Sequence, residues 1–328
     1  MSTRSLVAGA GGFIGHHLVD YLASQGHWVR GVDVKLPEFV DSNADEFELL
    51  DLRLWSDCLQ ATRGIDQVYH LAADMGGIGY IANHHGGLTK NNVLISTHLL
   101  EASRVNKVDR FFYSSSACVY PQYKQNEADV VGLKEEDVWP ADPEEGYGWE
   151  KLFTEKLCQY YSEDYGLETR VARFHNVYGP LGTYDGGREK APAAICRKVA
   201  LASELGEVEI WGDGEQTRSF MYVSDCLEGI FRLTQSEHRG PFNLGTEKLV
   251  TINQLVDTVA EIAGKTLSKR HTMSGPQGVR GRNSDNSQVS RALGWEPRVS
   301  LEEGLKTTYQ WIEAQLNARV PHSEVGLA

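Results

Sequence analysis

Gly9-Ala-Gly-Gly-Phe-Ile-Gly15 lies directly behind a short apolar run, Ser5 to Ala10, and opens a stretch with helical spacing, Phe13 to Gln25 (Ile14, Leu18, Tyr21, Leu22). Gly9, Gly12 and Gly15 have the G-x-x-G-x-x-G spacing. A chain that leaves a strand and enters a helix within so few residues needs glycine, because a Cβ would block both the tight turn and the approach of a pyrophosphate. The free N–H groups at the helix N-terminus then face the phosphates, with Phe13 and Ile14 beside them. A second apolar run, Trp28 to Asp33, ends on an acid 18 residues beyond Gly15. The Asp33 carboxylate can accept both hydroxyls of an adenosine ribose and repels a 2′-phosphate, which points to NAD rather than NADP; Lys35 weakens that discrimination slightly. Asp51, after the third run, has two open readings, an adenine contact or a helix N-cap.

The pattern continues. Strand-like runs at Phe47 to Leu50, Gln67 to Leu71, Arg110 to Ser114 and Thr169 to Phe174 alternate with helical stretches at Leu52 to Arg63, Thr89 to Val105 and Tyr147 to Tyr165. Such alternation predicts an α/β fold, a Rossmann-type doubly wound parallel sheet. After about residue 175 the strand-like pieces shorten (Val208 to Trp211, Phe220 to Val223, Phe242 to Leu244), between helices expected over Pro192 to Ser203, Val223 to Thr234, Thr251 to Ala263 and Leu301 to Leu316. We read residues 1–174 as a nucleotide-binding domain and 175–318 as a smaller C-terminal substrate domain, some of whose elements return to the first. Residues 319–328 read as a tail. The length of 328 residues accommodates this.

The formal net charge of −13 argues against a nucleic-acid or anionic-membrane partner. The five cysteines stand too far apart for a C-x-x-C pair, so no zinc or other metal site is expected, and an odd count points to free thiols in a reducing cytoplasm. No segment reads as a signal peptide or a membrane span.

Tyr147 and Lys151 are four residues apart at a helix start and share a face. A lysine ammonium beside a phenol is expected to lower the tyrosine pKa, so that the phenolate takes a proton from an alcohol while hydride leaves for a nicotinamide. Spacing alone is a weak signal, since Tyr120 and Lys124 repeat it, but Pro121 between them argues against a helix there. Ser116 is placed to hydrogen-bond the reacting oxygen.

Together the glycine loop, Ser116, Tyr147 and Lys151 resemble the extended short-chain dehydrogenase/reductases that act on nucleotide sugars. Arg173-Phe-His-Asn-Val-Tyr-Gly-Pro180 and Trp211-Gly-Asp-Gly-Glu-Gln-Thr-Arg218 are similar to that family's later motifs. The stretches Ala73-Asp-Met-Gly-Gly77, Ser114-Ser-Ser-Ala-Cys-Val-Tyr-Pro121, Gly186-Gly-Arg-Glu-Lys-Ala-Pro-Ala-Ala194 and Gly278-Val-Arg-Gly-Arg-Asn-Ser-Asp-Asn286 resemble members that invert two carbons of a GDP-sugar. The likeness runs to about residue 316 and implies GDP-mannose as substrate and GDP-L-galactose as product, with GDP-L-gulose when one carbon inverts.

A ketone at carbon 4 of a sugar acidifies the C–H bonds at carbons 3 and 5, and inversion needs a proton taken on one face and given on the other. The resemblance assigns these tasks to Cys118 and Lys190. It also implies substrate contacts at Gly76, Ser116, Ala117, Cys118, Tyr147, Asn176, Glu189, Lys190, Ala191, Lys198, Gln216, Thr217, Arg218 and Arg282. Cations concentrated at Arg188 to Lys198 and Lys269 to Arg282 fit an anionic diphosphate on an acidic protein. A homodimer through the Thr89 to Val105 and Tyr147 to Tyr165 helices is implied by the likeness alone. The competing readings are a nucleotide-sugar 4-epimerase or 4,6-dehydratase and, in another class, a non-catalytic NAD-binding sensor. Ala117-Cys118 stands where such dehydratases carry an Asp-Glu pair, and a sensor of this fold commonly lacks the Tyr or Lys.

Overall fold

The computed structural model describes residues 2–274 and 278–319. Seven strands form one parallel sheet in the order Phe242–Leu244, Glu168–Phe174, Arg110–Ser116, Gln67–His70, Arg4–Ala8, Trp28–Asp33, Glu46–Leu49. The order reverses at the first strand, where crossovers pass to opposite faces, and nucleotide sites form at such reversals.

Both faces are buried, so the strands read as continuous apolar runs whose residues alternate between two cores. Val7, Val29, Tyr69, Phe112 and Ala172 point to one face, under the helices Phe13–Ser24 and Val223–Gln235. Leu6, Ala8, Val32, Val68, Phe111, Tyr113 and Val171 point to the other, under Trp55–Ala61, His85–Val105 and Glu145–Tyr165. A third core joins the helices Ala191–Leu201, Ile252–Ala263 and Leu301–Arg319.

The expected elements appear with shifts of one to three residues at most ends. In the second half, Phe242–Leu244 is hydrogen-bonded to Glu168–Phe174 as the last strand of the main sheet. The Val223–Gln235 helix likewise packs on the first core. Short pieces escaped the sequence reading, among them Ser268–Thr272, which pairs with Glu207–Trp211, and Gly281–Arg282, which pairs with Thr217–Arg218. The expected tail falls, past Arg319, outside the described residues. Among the described residues no helix is long and apolar enough to cross a membrane.

Candidate active site

The C-terminal ends of the first two strands hold the glycine loop. Gly9 has φ +91°, and a Cβ there would lie 2.7 Å from the Ala72 nitrogen. A Cβ on Gly15 would lie 2.0 Å from the Gly9 carbonyl oxygen. Gly12 is the helix N-cap and donates to the Gly9 carbonyl at 3.1 Å, with less crowding. Gly11, missed in the sequence reading, is as constrained as the others: its Cβ would meet the Lys35 carbonyl oxygen at 2.2 Å. The helix from Phe13 has no side-chain cap and no acid in its first turn, so the amides of Phe13, Ile14 and Gly15 face an anion without competition.

Asp33 ends the second strand, where its carboxylate accepts the Gly11 N–H at 3.0 Å and the Lys35 N–H at 3.3 Å. Burial raises its pKa, against those backbone hydrogen bonds and the Lys35 charge. A cradle that any Cβ would fill, free helix amides and a ribose-ready carboxylate together fit a dinucleotide. Asp51 follows the third strand but is bound to Arg53, at 2.6 Å, whose hydrogen bond holds the carboxylate below its usual range. The helix-cap reading of Asp51 is corrected: the N-cap of the next helix is Leu54.

The Arg110–Ser116 strand runs straight into the 3-10 turn Ala117–Val119, and the Ser116 hydroxyl accepts the Cys118 N–H at 3.2 Å. The Glu145–Tyr165 helix lies against this turn, because Gly148 leaves room: a Cβ there would stand 2.3 Å from the Cys118 carbonyl oxygen. Tyr147 is buried, and Cys118 packs against it. Lys151 Nζ donates to the Ser114 carbonyl at 3.0 Å, lies 5.5 Å from the Tyr147 ring centroid and is 3.9 Å from Glu150. The expected drop in the Tyr147 pKa is corrected. Burial pushes the phenol well up, Glu150 and Cys118 add to the rise, and the ammonium points first at a carbonyl. Burial also lowers Lys151.

Met75, Tyr80 and Cys118 pack around Ile81, Leu88 and Tyr147. Gly76 is buried against Tyr80, and Gly77 donates to the Arg188 carbonyl at 3.0 Å. The Arg188 guanidinium stacks 3.8 Å over the Tyr80 ring and is 3.7 Å from Asp74. This clasp carries the 186–190 loop to the Cys118 side of the cleft. Lys190 is the N-cap residue of the Ala191–Leu201 helix and is exposed. Its ammonium is crowded enough that burial lowers its pKa, opposed by Cys118 and Cys226.

A thiol serves as a base at neutral pH only where a nearby cation lowers its pKa. At Cys118 such a cation is present, since Arg282 Nη1 donates to Sγ at 3.5 Å, but the thiol pKa is not lowered. Burial and the Glu144 charge outweigh Arg282 and Ser116 and push the thiol up to about 11. All five thiols are free, and the other four are buried.

The remaining predicted contacts are spread over the Ala117–Val119 turn and the second half of the chain. Ala117 is buried in the 3-10 turn. Asn176, at φ +43°, donates to the Ser219 carbonyl at 2.9 Å. Glu189 accepts the Gly187 N–H at 2.7 Å and pairs with Arg197 at 3.2 Å, so it shapes the loop. Lys198 donates to the Glu209 carbonyl at 2.8 Å, with its ammonium 5.6 Å from the exposed Trp211 ring. Gln216 donates to the Trp211 carbonyl at 2.9 Å, and its buried Oε1 has no hydrogen-bond partner among the described residues. The Thr217 hydroxyl is committed to the Ala128 carbonyl, and Arg218 donates to the Thr217 and Val279 carbonyls, both at 2.7 Å. Arg282 is buried and donates to Gln125 at 2.6 Å and Glu144 at 2.9 Å. Sequence reasoning missed Glu144, which reads as an ordinary acid at a helix start.

A fold and a site of this kind define an NAD-dependent enzyme of nucleotide sugars. Residues 5–245 match the NAD dependent epimerase/dehydratase family, and the chain belongs to that family. It is 49% identical over 312 residues, 94% of this chain and 82% of the relative, to GDP-mannose 3,5-epimerase of Arabidopsis thaliana. Among solved structures it resembles a UDP-glucose 4-epimerase of Thermotoga maritima solved with UDP-glucose (TM-score 0.85, 30% identity, covering 96% of this chain and 100% of that one). It also resembles a UDP-glucuronic acid 4-epimerase of Bacillus cereus in complex with UDP-glucuronic acid and NAD (TM-score 0.81, 27% identity, 95% and 100%).

Proposed function

We propose that this chain epimerises GDP-mannose at carbons 3 and 5 through a transient ketone at carbon 4, giving GDP-L-galactose, and GDP-L-gulose when only carbon 5 inverts. The observation that supports this reading is that Cys118 and Tyr80 pack in one cluster with Tyr147, while Arg188, two residues before Lys190, stacks on the Tyr80 ring. Inverting carbon 4 alone needs neither Cys118 nor Lys190.

NAD would supply the acceptor and donor of a hydride at carbon 4. Gly9, Gly12, Phe13, Ile14, Gly15 and Asp33 hold it, with Asp51 at the adenine end. The Tyr147 phenolate takes the proton of the 4-hydroxyl and becomes the phenol, Ser116 hydrogen-bonds the sugar oxygen, and the Lys151 ammonium favours the phenolate that precedes the transfer. The ketone acidifies the neighbouring carbons, and Cys118 and Lys190 exchange protons there on opposite faces. Gly76, Ala117, Asn176, Glu189, Ala191, Lys198, Gln216, Thr217, Arg218 and Arg282 surround the sugar nucleotide, with the cations matching its diphosphate. In this division of labour residues 1–174 hold the dinucleotide, and 175–318 grip the substrate together with Gly76 and Ser116 to Cys118 from the first domain.

A 4,6-dehydratase would need acids where Ala117 and Cys118 stand. A sensor has no use for a buried Tyr147 and Lys151. We place the protein in the cytoplasm on its free thiols, and as a homodimer on Trp149, Phe153 and Tyr160, all exposed on the Glu145–Tyr165 helix beside His85–Val105.

The decisive experiment is incubation with GDP-mannose and NAD in heavy water. Deuterium is expected at carbons 3 and 5. Its absence from both, in NAD-loaded protein, overturns the reading. Tyr147→Phe is expected to slow turnover by about 10²-fold or more, the usual worth of a general base, in a steady-state assay.

A further inference from the structure

The carbon-4 ketone of the epimerase reading, on which this inference rests, is a branch point. Either the hydride returns to carbon 4 and closes the cycle, or a neighbouring C–H bond breaks first. In the second case its electron pair passes to the ketone oxygen, and a proton is then added to that carbon on the other face. Inverting one carbon takes one such passage, and inverting two takes two before the hydride returns. The number of inversions therefore depends on how fast the proton-transfer groups work relative to the hydride, and so on how well they are held in place.

Lys190 ends the 186–190 loop. Gly186 and Gly187 have φ +89° and +85°, values that a residue with a Cβ resists, and a Cβ on either would meet nothing within 4 Å. What holds the loop lies further along. The Gly77 N–H donates to the Arg188 carbonyl at 3.0 Å, and a Cβ on Gly77 would stand 2.5 Å from the Glu189 carbonyl oxygen. The Arg188 guanidinium lies 3.8 Å over the Tyr80 ring, 3.7 Å from Asp74, and donates to the Met75 carbonyl at 3.4 Å. Its side chain is 50% exposed, so water weakens the pairing with Asp74, and the ring is what aligns the planar guanidinium.

The platform is built more firmly than the cation it carries. The Tyr80 hydroxyl donates to Asp74 Oδ1 at 2.8 Å, Asn91 Nδ2 donates to Asp74 Oδ2 at 3.0 Å, and the Asp74 N–H donates to Asn92 Oδ1 at 2.6 Å. The His84 ring stacks on Tyr80 at 4.3 Å, and its Nδ1 donates to the Tyr80 carbonyl at 2.8 Å. Asn92 Nδ2 donates in turn to Glu150 Oε1 at 2.9 Å. The platform is thus tied to the helices His85–Val105 and Glu145–Tyr165, the second of which carries Tyr147 and Lys151. Tyr80 also packs in the cluster that holds Tyr147 and Cys118.

We propose that Tyr80 is a positioning residue: its ring, by holding Arg188, keeps the Lys190 loop in register with Tyr147 and Cys118, so that both carbons are inverted before the hydride returns. Tyr80 acts through Arg188 and the loop rather than on the sugar. Loosening the clasp slows each inversion while leaving the return of the hydride as it was, so more cycles close after one inversion.

The test reads the ratio of GDP-L-gulose to GDP-L-galactose formed from GDP-mannose by NAD-loaded protein, at early times before released product rebinds. The ratio is set within single visits of substrate, so it does not depend on how much of a variant is folded. Tyr80→Leu is expected to raise it by about two- to fivefold, matching the strength of an exposed cation–π contact. Arg188→Leu, a change at an exposed side chain, is expected to raise it to the same extent, and the double variant no further, because all three remove one contact. Tyr80→Phe keeps the ring and is expected to stay near wild type. An unchanged ratio in either Leu variant, additive effects in the double variant, or a Tyr80→Phe ratio as high as that of Tyr80→Leu overturns the proposal and leaves the epimerase reading standing. Wild-type protein that makes neither product overturns that reading, and this inference with it.

Discussion

At the scale of single residues, the glycine loop is the most exacting part of the molecule. Gly15→Ala places a methyl group 2.0 Å from the Gly9 carbonyl, an overlap with backbone that no rotamer relieves. Overpacking of that kind costs about 1–3 kcal/mol, and the displaced turn is expected to lower NAD affinity as well, measured by chemical denaturation and by titration with NAD. Unchanged affinity would mean that the turn does not meet the pyrophosphate. The sequence carried this loop plainly, because strand, glycines, helix and acid are all local. It carried Cys118 and Lys190 only through resemblance, since no spacing links residues 118 and 190. Glu144 was invisible, because its partner Arg282 is 138 residues away and an acid before a helix reads as a cap.

At the scale of elements, the buried pair of Arg173 and Glu155 joins the Glu168–Phe174 strand to the Glu145–Tyr165 helix, at 2.7 Å. Arg173 also donates to the Tyr120 hydroxyl at 3.2 Å and the Glu135 carbonyl at 2.8 Å, reaching under the turn that carries Cys118. Removing one partner of such a pair strands the other charge away from water. Arg173→Leu is therefore expected to destabilise the protein by about 3–5 kcal/mol, and the double variant with Glu155→Leu by less than that. Urea denaturation decides it; a double variant as unstable as the single one would refute the stranded-charge account. The long strands and helices of the first half were legible because their periodicity extends over many residues. The paired fragments of the second half were not, since two-residue strands such as Gly281–Arg282 have no period to read and are fixed by their partners.

At the scale of the whole molecule, two histidines link stability to pH. Burial pushes both His70 and His175 down to about 3, so they stay neutral in the folded chain. An unfolded chain protonates them near pH 6.5, so below that value each favours unfolding by about 1.4 kcal/mol per pH unit, until the folded form also protonates near 3. Between about pH 6 and 4, the stability of wild type relative to His70→Gln is expected to fall by that amount per unit. Parallel curves would show that His70 is protonated in the folded state.

The last strand of the main sheet, Phe242–Leu244, is laid beside Glu168–Phe174 by a stretch of chain that first passes through the third core. A ribosome therefore releases the glycine loop early, but some seventy further residues must emerge after Phe174 before that open edge is covered. Bare strand edges invite foreign pairing. The same route forbids a clean transplant: grafting residues 175–318 onto another enzyme of this fold also replaces the outermost strand of its sheet, so whatever those residues select and the integrity of the scaffold are inherited together.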